Sequence, residues 1–182
     1  MSNQNHKGWR VREVDEKFPI GQLIVPEHVT VAHVEAWMNE IKTYIVRLAF
    51  EVEGLSEGEL QKTYREGSWT VRELVHHIAD SQLVMYQRLK LALTDDQPNV
   101  PPFDQDAWAK LADMKMPIET SMSMLKGINE RVVQLGLSLT EIELARTFTL
   151  QPDTVITVAT KLAKLAWHEE HHLAHIKLAL RK

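Results

Sequence analysis

Residues 157–180 read TVATKLAKLAWHEEHHLAHIKLAL, and this stretch decides the fold. Its apolar residues follow the spacing of an amphipathic α-helix, which we predict from about Thr157 to Leu180. Four of the nine histidines of the chain fall inside eight residues of this helix, from His168 to His175. We therefore expect the chemistry of the protein to lie on this helix.

Three further amphipathic helices are predicted before it. The first covers about residues 27–52, with an apolar stripe at spacings of three and four: Val34, Trp37, Met38, Ile41, Ile45 and Leu48. The second runs from about Thr70 to Leu93 and the third over roughly residues 118–137. Residues 94–117 contain four prolines and form a long connection between the second and third helices. This pattern predicts an all-α fold, a four-helix bundle, in which side chains of facing helices converge on the bundle axis.

The rest of the chain is predicted to form an N-terminal arm, short helices and turns within one domain. A length of 182 residues fits a single domain, 1–182, in which the polar and proline-containing residues 1–26 form an extended arm. Thr70 and Thr140 each stand three residues before a glutamate, a capping-box pattern that predicts a helix start. Residues 147–156 predict a small irregular or β-like excursion.

Composition excludes several classes of function. The chain has 21 Lys and Arg against 25 Asp and Glu, a net charge of −4, which disfavours a nucleic-acid-binding protein. It has no cysteine, so disulfides, thiolate nucleophiles and cysteine-type zinc sites are excluded. No run approaches the roughly 18 apolar residues of a membrane span, and no apolar signal segment follows Met1. We expect a cytoplasmic protein that acts on a small molecule and contacts neither membrane nor nucleic acid.

The histidines of the last helix stand at the spacing of metal ligands. His168 with His172, and His171 with His175, are each four residues apart, so that either pair of imidazoles can chelate one ion. On the helical wheel His168 and His172 lie closer than His171 to the apolar edge, which is formed by Leu165 and Ile176. His168 and His172 are therefore favoured as the pair that faces the interior. Because His175 lies only about 20° from His168 on an ideal wheel, the contribution of His171 and His175 stays open.

The second helix supplies a third candidate ligand. His77 borders the apolar arc of that helix, whereas His76 points nearly opposite and is predicted to lie on the surface. Asp80, one turn after His77, could orient the His77 imidazole as a hydrogen-bond acceptor. His6, His28 and His33 have no comparable neighbours and are predicted to be surface residues.

One string in the last helix matches a known enzyme motif. His168-Glu169-x-x-His172 is the H-E-x-x-H pattern of zinc proteases, in which the glutamate is the general base. Many of those enzymes take a third ligand well downstream, and only ten residues follow His172. We therefore interpret Glu169 and Glu170 as a solvent-facing pair.

The chain resembles the DinB-like superfamily, in particular its YfiT-like branch of metal-dependent hydrolases. The resemblance rests on six stretches that occur in order: residues 18–21, 64–72, 76–81, 102–108, 151–154 and 167–176. It implies a four-helix bundle, a homodimer, and one divalent ion per subunit. The three ligands that it implies are His77, His168 and His172, the residues that the helical wheels also favour. The ion that the resemblance implies is Zn²⁺, with Ni²⁺ as the alternative.

A three-histidine site with an open coordination position suits more than one activity. An ion in such a site would lower the pKa of a bound water to near neutral pH and would polarise a carbonyl or phosphoryl oxygen of a substrate. These two properties predict a metal-dependent hydrolase. The open position equally binds an external thiol, and relatives in the superfamily transfer low-molecular-weight thiols, so a metal-dependent thiol S-transferase is the alternative. A non-catalytic metal-binding module of a stress response is the third interpretation. The sequence does not identify a general acid or base.

Overall fold

Four long helices carry the fold in the computed structural model, which describes residues 15–182. They are α1 (Val31–Val52), α3 (Val71–Thr94), α5 (Ile118–Gly136) and α7 (Val158–Leu180). All four helices predicted from the sequence are present, with ends within a few residues of the predicted ones. His6 and the first fourteen residues of the predicted arm lie outside the described residues.

Shorter elements fill the connections. Single turns of helix form α2 (Glu57–Leu60), α4 (Gln105–Trp108) and α6 (Glu141–Leu144), and a 3₁₀ turn covers Ala112–Lys115. The prediction of an all-α fold is incomplete, because three short strands also form: β1 (Asn99–Val100), β2 (Thr147–Leu150) and β3 (Thr154–Thr157). Strand β2 lies in the centre, parallel to β1 and antiparallel to β3. The excursion expected at residues 147–156 is thus the β2–β3 hairpin.

Capping boxes start α3 and α6 where the sequence predicts them. At Thr70 the hydroxyl oxygen accepts from the Glu73 N–H at 3.2 Å, and the Glu73 carboxylate accepts from the Thr70 N–H at 2.8 Å. Thr140 and Glu143 repeat this arrangement at α6. Each box satisfies backbone N–H groups that have no partner inside the helix.

The long helices pack so that α1 and α3 each contact both α5 and α7. Two apolar clusters fill the interior, one including Met38, Leu89, Val132 and Leu162, the other including Leu48, Leu74, Leu125 and Ile176. On each long helix the two clusters occupy different turns. Between them α3, α5 and α7 contribute the buried polar residues Gln82, Asn129, His168, Glu169 and His172. A polar layer therefore crosses the middle of the bundle.

The described part of the arm, residues 15–26, has no helix or strand and lies partly against α7. The Phe18 ring stands 5.9 Å from the His171 ring, and Glu16 pairs with Lys182 at 2.7 Å. Ile24 is exposed. None of the helices within residues 15–182 combines the length and the hydropathy that crossing a bilayer requires.

Candidate metal centre

His77, His168 and His172 meet at the edge of the polar layer. His77 comes from the second turn of α3, and the other two come from the middle of α7. All three are buried, and each offers a ring nitrogen within 4.8 Å of the others. The Nε2 atoms of His168 and His172 are 3.1 Å apart. The structure thus brings together the three residues that the helical wheels select.

Aromatic rings and one hydroxyl surround His77. The Trp69 ring centroid lies 4.3 Å from that of His77, and the Phe103 ring is stacked at 6.2 Å. The Ser81 hydroxyl lies 3.3 Å from His77 Nε2. This surrounding limits the approach of water to the imidazole from the side of Trp69 and Phe103.

Burial keeps the three imidazoles neutral. It lowers the pKa of His77 to about 4. It also lowers the pKa of His168 and of His172 well below the usual value, and the neighbouring histidines add to this effect. At pH 7 the rings therefore carry no charge, which is the form of histidine that binds a metal.

A second group of histidines shares His172. Ring nitrogens of His171, His172 and His175 also lie within 4.8 Å of one another, and all three residues are buried. His175 Nδ1 is 3.3 Å from His172 Nδ1, while the other nitrogen of His172 faces His168. His175 stacks on the Tyr64 ring at 4.0 Å and His171 stacks on Trp167 at 4.4 Å. His175 therefore lies next to His172 but does not belong to the group formed by His77, His168 and His172.

The prediction that His76 lies on the surface is wrong. His76 is 4% exposed, with Nε2 3.0 Å from the carbonyl oxygen of Met116 and Nδ1 2.7 Å from the Ser121 hydroxyl. A carbonyl oxygen only accepts hydrogen bonds, so Nε2 donates and, in the neutral ring, Nδ1 accepts from Ser121. The face of α3 opposite His77 is therefore covered by α5 and the segment before it, which a wheel of α3 alone does not reveal.

The prediction that Glu169 faces solvent is also wrong. Glu169 is 1% exposed, and its carboxyl Oε1 accepts a hydrogen bond of 2.7 Å from Asn129 Nδ2. Gln82 in turn donates to Asn129 Oδ1 at 3.1 Å. Burial raises the pKa of Glu169 well above its usual value, more than the hydrogen bond from Asn129 lowers it. Glu170 is half-buried and pairs with Arg47.

Asp80, His28 and His33 do not belong to either group of ring nitrogens found among the described residues. Within the described residues Asp80 makes no side-chain hydrogen bond to His77, so its orienting role stays a prediction. Burial raises the pKa of Asp80 to about 6, and repulsion from Asp113 adds to it. His28 is exposed, as predicted. His33 is half-exposed, and its Nδ1 accepts from the Thr30 N–H at 3.1 Å at the start of α1.

Two cavities meet at His168. The first, of about 490 Å³, is here called the aromatic cavity, and its wall includes Phe18, Tyr64, Trp69, Trp167, His171 and His175. The second, of about 450 Å³, is called the cationic cavity, and its wall includes Val84, Arg88, Leu150, Ile156, Lys161 and Lys164. Gln105, Lys164 and His168 belong to both walls. His168 and His172 thus adjoin space of the size that small-molecule sites have.

Sequence reasoning did not identify Arg88 and Lys161 as residues of the cavity that reaches His168. A signal was present on α7, because Lys161, Lys164 and His168 follow one another at spacings of three and four and so share a face. No such signal marks Arg88, which lies on α3 three turns after His77 and reaches the cavity only through the packing of α3 against α7.

The chain is similar to known proteins over most of its length. The model of the DinB superfamily matches residues 45–176. A protein of Oceanobacillus iheyensis is 60% identical over 92% of this chain and 96% of its own length, and one of Halalkalibacterium halodurans is 43% identical over 92% and 98%. Both carry the provisional name of metal-dependent hydrolase. The solved structure of YfiT from Bacillus subtilis, described as a probable metal-dependent hydrolase with an unusual four-helix bundle topology, is 33% identical. It aligns with a TM-score of 0.87 over 92% of this chain and 98% of that one.

Proposed function

The chain belongs to the DinB superfamily, and on that premise we propose that it is a metal-dependent hydrolase of a small molecule. We propose that His77, His168 and His172 hold one divalent ion per subunit. The observation that carries the proposal is the convergence of three buried, neutral imidazoles from two helices beside two cavities.

The donor set fits such an ion. Two nitrogens bound to a tetrahedral zinc ion at about 2.0–2.1 Å stand roughly 3.3 Å apart. The separation of 3.1 Å between the Nε2 atoms of His168 and His172 is close to that value. Three imidazoles suit zinc or nickel better than magnesium or calcium, which prefer oxygen ligands. We propose Zn²⁺, with Ni²⁺ as the alternative.

Each neighbouring side chain has a role in this proposal. When bound, a divalent ion on three imidazoles acts as a Lewis acid and activates water in its open position. His175 positions His172, since its Nδ1 can accept the proton on His172 Nδ1 and so leave the lone pair of Nε2 facing His168. Trp69 and Phe103 cover His77 and keep bulk water from it. Lys164 stands in the wall of both cavities, where it can attract an anionic group of a substrate.

One observation favours the thiol S-transferase as a second candidate. The only carboxylate in the wall of either cavity, in the part of the chain that the structure describes, is that of Asp106 on α4. Glu169 is hydrogen-bonded to Asn129 inside the bundle and lines neither cavity. Hydrolysis generally uses a positioned base, whereas an incoming thiol can lose its proton on binding to the ion.

Metal analysis of single-residue variants tests the ligand set. We expect His77→Ala, His168→Ala and His172→Ala each to lose most of the bound zinc, measured by mass spectrometry of the metal after dialysis. His76→Ala is the matched control, because His76 is also a buried histidine of α3 but points away from the site, and it should keep its metal. His171→Ala should keep it too. Full occupancy in His77→Ala, together with loss in His171→Ala, would assign the ion to the second group of histidines instead.

An activity screen then separates the two enzymes. Zinc-loaded protein is assayed on ester, amide and phosphoester panels, and in parallel on low-molecular-weight thiols with an electrophile. Turnover in the first panels that is lost in His77→Ala supports the hydrolase. Turnover only with thiol present supports the transferase. Full metal occupancy without turnover in either arm would favour the non-catalytic module.

A further inference from the structure

The cationic cavity carries an unbalanced charge. Its wall holds Arg88, Lys161 and Lys164, and no aspartate or glutamate from residues 15–182 lines it. The chain as a whole has a net charge of −4. Three cations around one cavity of an acidic protein are therefore a local feature, which general composition does not explain.

Two of the three cations are nearly inaccessible to solvent. Lys161 is 6% exposed and Arg88 is 8% exposed. Arg88 Nη2 donates to the carbonyl oxygen of Pro101 at 2.7 Å, and Lys161 Nζ lies 5.4 Å from the centroid of the Phe148 ring. Among the described residues neither side chain has a carboxylate oxygen within 4.0 Å, the distance that defines the ion pairs elsewhere in the molecule.

Burying charges without a counter-ion is unfavourable for folding. Burial, with repulsion from Arg88 and Lys164, lowers the pKa of Lys161 to about 8. Its ammonium group is thus still mostly charged at pH 7. Two buried like charges that destabilise the fold and have no carboxylate partner among the described residues fit a site for an external anion.

The position of the two cations relates them to the three histidines. Lys161 precedes His168 by seven residues on the same face of α7, which corresponds to about 10 Å along the helix axis. Arg88 follows His77 on α3, and Ser81 and Met85 lie between them in the cavity wall. Val84, Leu150 and Ile156 make that wall partly apolar. The cavity therefore leads from the cations, past apolar side chains, to His168.

We propose that Arg88 and Lys161 bind an anionic group of the substrate, a carboxylate or a phosphate monoester, at the end of the cationic cavity remote from the histidines. The apolar body of the substrate lies against Val84, Leu150 and Ile156, and its reactive bond reaches His168. This inference rests on the proposed function for the identity of the reactive end. The substrate class is a small organic anion with an apolar body.

Binding to the metal-free chain tests the proposal without using activity. Octanoate, octyl phosphate and the neutral octanamide are titrated calorimetrically into full-length protein that has been stripped of metal. We expect at least one of the two anions to bind about tenfold or more tightly than octanamide, because a hydrogen bond between two ionised groups is stronger than one to a neutral amide. The anion that binds tighter identifies the head group. Equal affinity for octanamide and both anions would overturn the proposal.

Substitution of the cations localises the binding. Lys161→Met and Arg88→Met should each weaken binding of the preferred anion about tenfold or more and leave octanamide unchanged. Lys126→Met is the matched control, since Lys126 is exposed on α5, and it should bind as the wild type does. Lys161→Met should also melt at a higher temperature, because a buried unpaired charge is removed, so lost binding is not lost folding. Unchanged selectivity for the anion in Lys161→Met and Arg88→Met would overturn the proposal.

The same titrations distinguish this failure from a failure of the proposed function. His77→Ala, which should lose zinc, should keep its preference for the anion over octanamide. Zinc binding without any preference for the anions would overturn the anion site and leave the metal site standing. The anion preference without zinc binding would leave the anion site standing and overturn the metal site.

Discussion

Glu169 and His168 are neighbours in the chain but face different surroundings. Successive residues of an α-helix point about 100° apart, so the two side chains leave α7 in different directions. His168 faces His172 and both cavities, whereas Glu169 bonds to Asn129 of α5. The H-E-x-x-H string is therefore present in sequence, but its glutamate does not lie beside the imidazoles as a protease base would.

Glu169→Gln should be nearly silent. The glutamine side chain has the same shape, and its carbonyl oxygen can accept the bond from Asn129 that Glu169 Oε1 accepts now. We expect unchanged zinc content and, once a substrate is known, most of the wild-type rate. A loss of rate of around a hundredfold or more, the scale of removing a general base, would restore the protease-like interpretation.

Glu169→Ala provides the contrast to this variant. It removes the carboxyl oxygen that accepts the 2.7 Å hydrogen bond from Asn129 Nδ2 and opens a cavity in a buried layer, whereas the bond from Gln82 to Asn129 Oδ1 remains possible. We expect it to lower the free energy of unfolding by about 2–4 kcal/mol, measured in urea. Equal stability of the Ala and Gln variants would show that the buried hydrogen bond contributes nothing.

Individual positions show where sequence reasoning reaches its limit. His77, His168 and His172 can be selected from one-helix wheels because each lies at the apolar edge of its own helix. His76 and Glu169 cannot, because α3 and α7 are covered on more than one side by other helices. A polar residue such as His76 or Glu169 is then predicted to be exposed, although it is buried. In the fold, α5 supplies its hydrogen-bond partner, Ser121 for His76 and Asn129 for Glu169. That partner is specified only by packing.

At the scale of the element, the capping box at Thr70 sets the start of the helix that carries His77. Thr70→Ala removes the hydroxyl that accepts from the Glu73 N–H and the anchor of the Glu73 carboxylate. We expect the free energy of unfolding to fall by about 1 kcal/mol, the usual value of an N-cap threonine. Urea unfolding followed by circular dichroism measures the change.

Thr140→Ala is the matched control for the cap of α3. Thr140 makes the same hydrogen bonds with Glu143, but it starts a helix of only four residues. Because few contacts depend on that turn, we expect a loss of at most about 0.5 kcal/mol. An effect of Thr140→Ala as large as that of Thr70→Ala would mean that the cap, and not the helix that it starts, determines the loss.

The elements differ in how well a sequence predicts them. The four long helices follow from local periodicity over about twenty residues each, and their predicted ends are nearly correct. Strand β1 could not be predicted, because it has two residues and exists through pairing with β2, as in Asn99 with Thr149. Fifty positions separate these partners, so no local pattern records the pairing.

At the scale of the molecule, buried titratable groups predict an acid-sensitive fold. The pKa values of six buried histidines are lowered, chiefly by burial: His76, His77, His168, His171, His172 and His175. Below pH 6.5 these histidines therefore bind more protons in the unfolded chain than in the folded chain. The free energy of unfolding consequently falls as the pH falls. Three carboxyl groups with raised pKa values act in the opposite direction: Glu40, Asp80 and Glu169.

Because the histidines outnumber these carboxyl groups, we expect metal-free protein to lose stability between pH 6.5 and 5. Each net proton contributes about 1.4 kcal/mol per pH unit. Urea unfolding in the presence of a chelator, at steps across this range, measures the slope. His171→Ala should reduce the slope by up to one proton, since burial lowers the pKa of His171 to about 4. A free energy of unfolding that stays constant from pH 7 to 5 would contradict the prediction.

The outer face of α1 predicts a homodimer. Val46 and Phe50 lie one turn apart on this face, and their side chains are 71% and 85% exposed. Large apolar side chains that are exposed next to one another form a patch of the kind that marks a protein interface. A symmetric pair is the commonest assembly of soluble proteins. We expect light scattering to give about twice the chain mass of 21.0 kDa, and Phe50→Glu to give a single chain. Ile142→Glu, at an exposed position of α6, should stay dimeric.

Such a dimer should not share its metal ligands between chains. His77, His168 and His172 of one chain already lie within 4.8 Å of one another, so each protomer can complete its own site. We therefore expect that mixing a His77→Ala chain with a His172→Ala chain restores no zinc binding, because each protomer still lacks one ligand. The chains are mixed under conditions that allow exchange, and exchange is verified by mass spectrometry of tagged protomers. Recovery of zinc binding in the mixed dimers would show that the ligands come from both chains. A mass near 21.0 kDa at micromolar concentration would contradict the dimer itself.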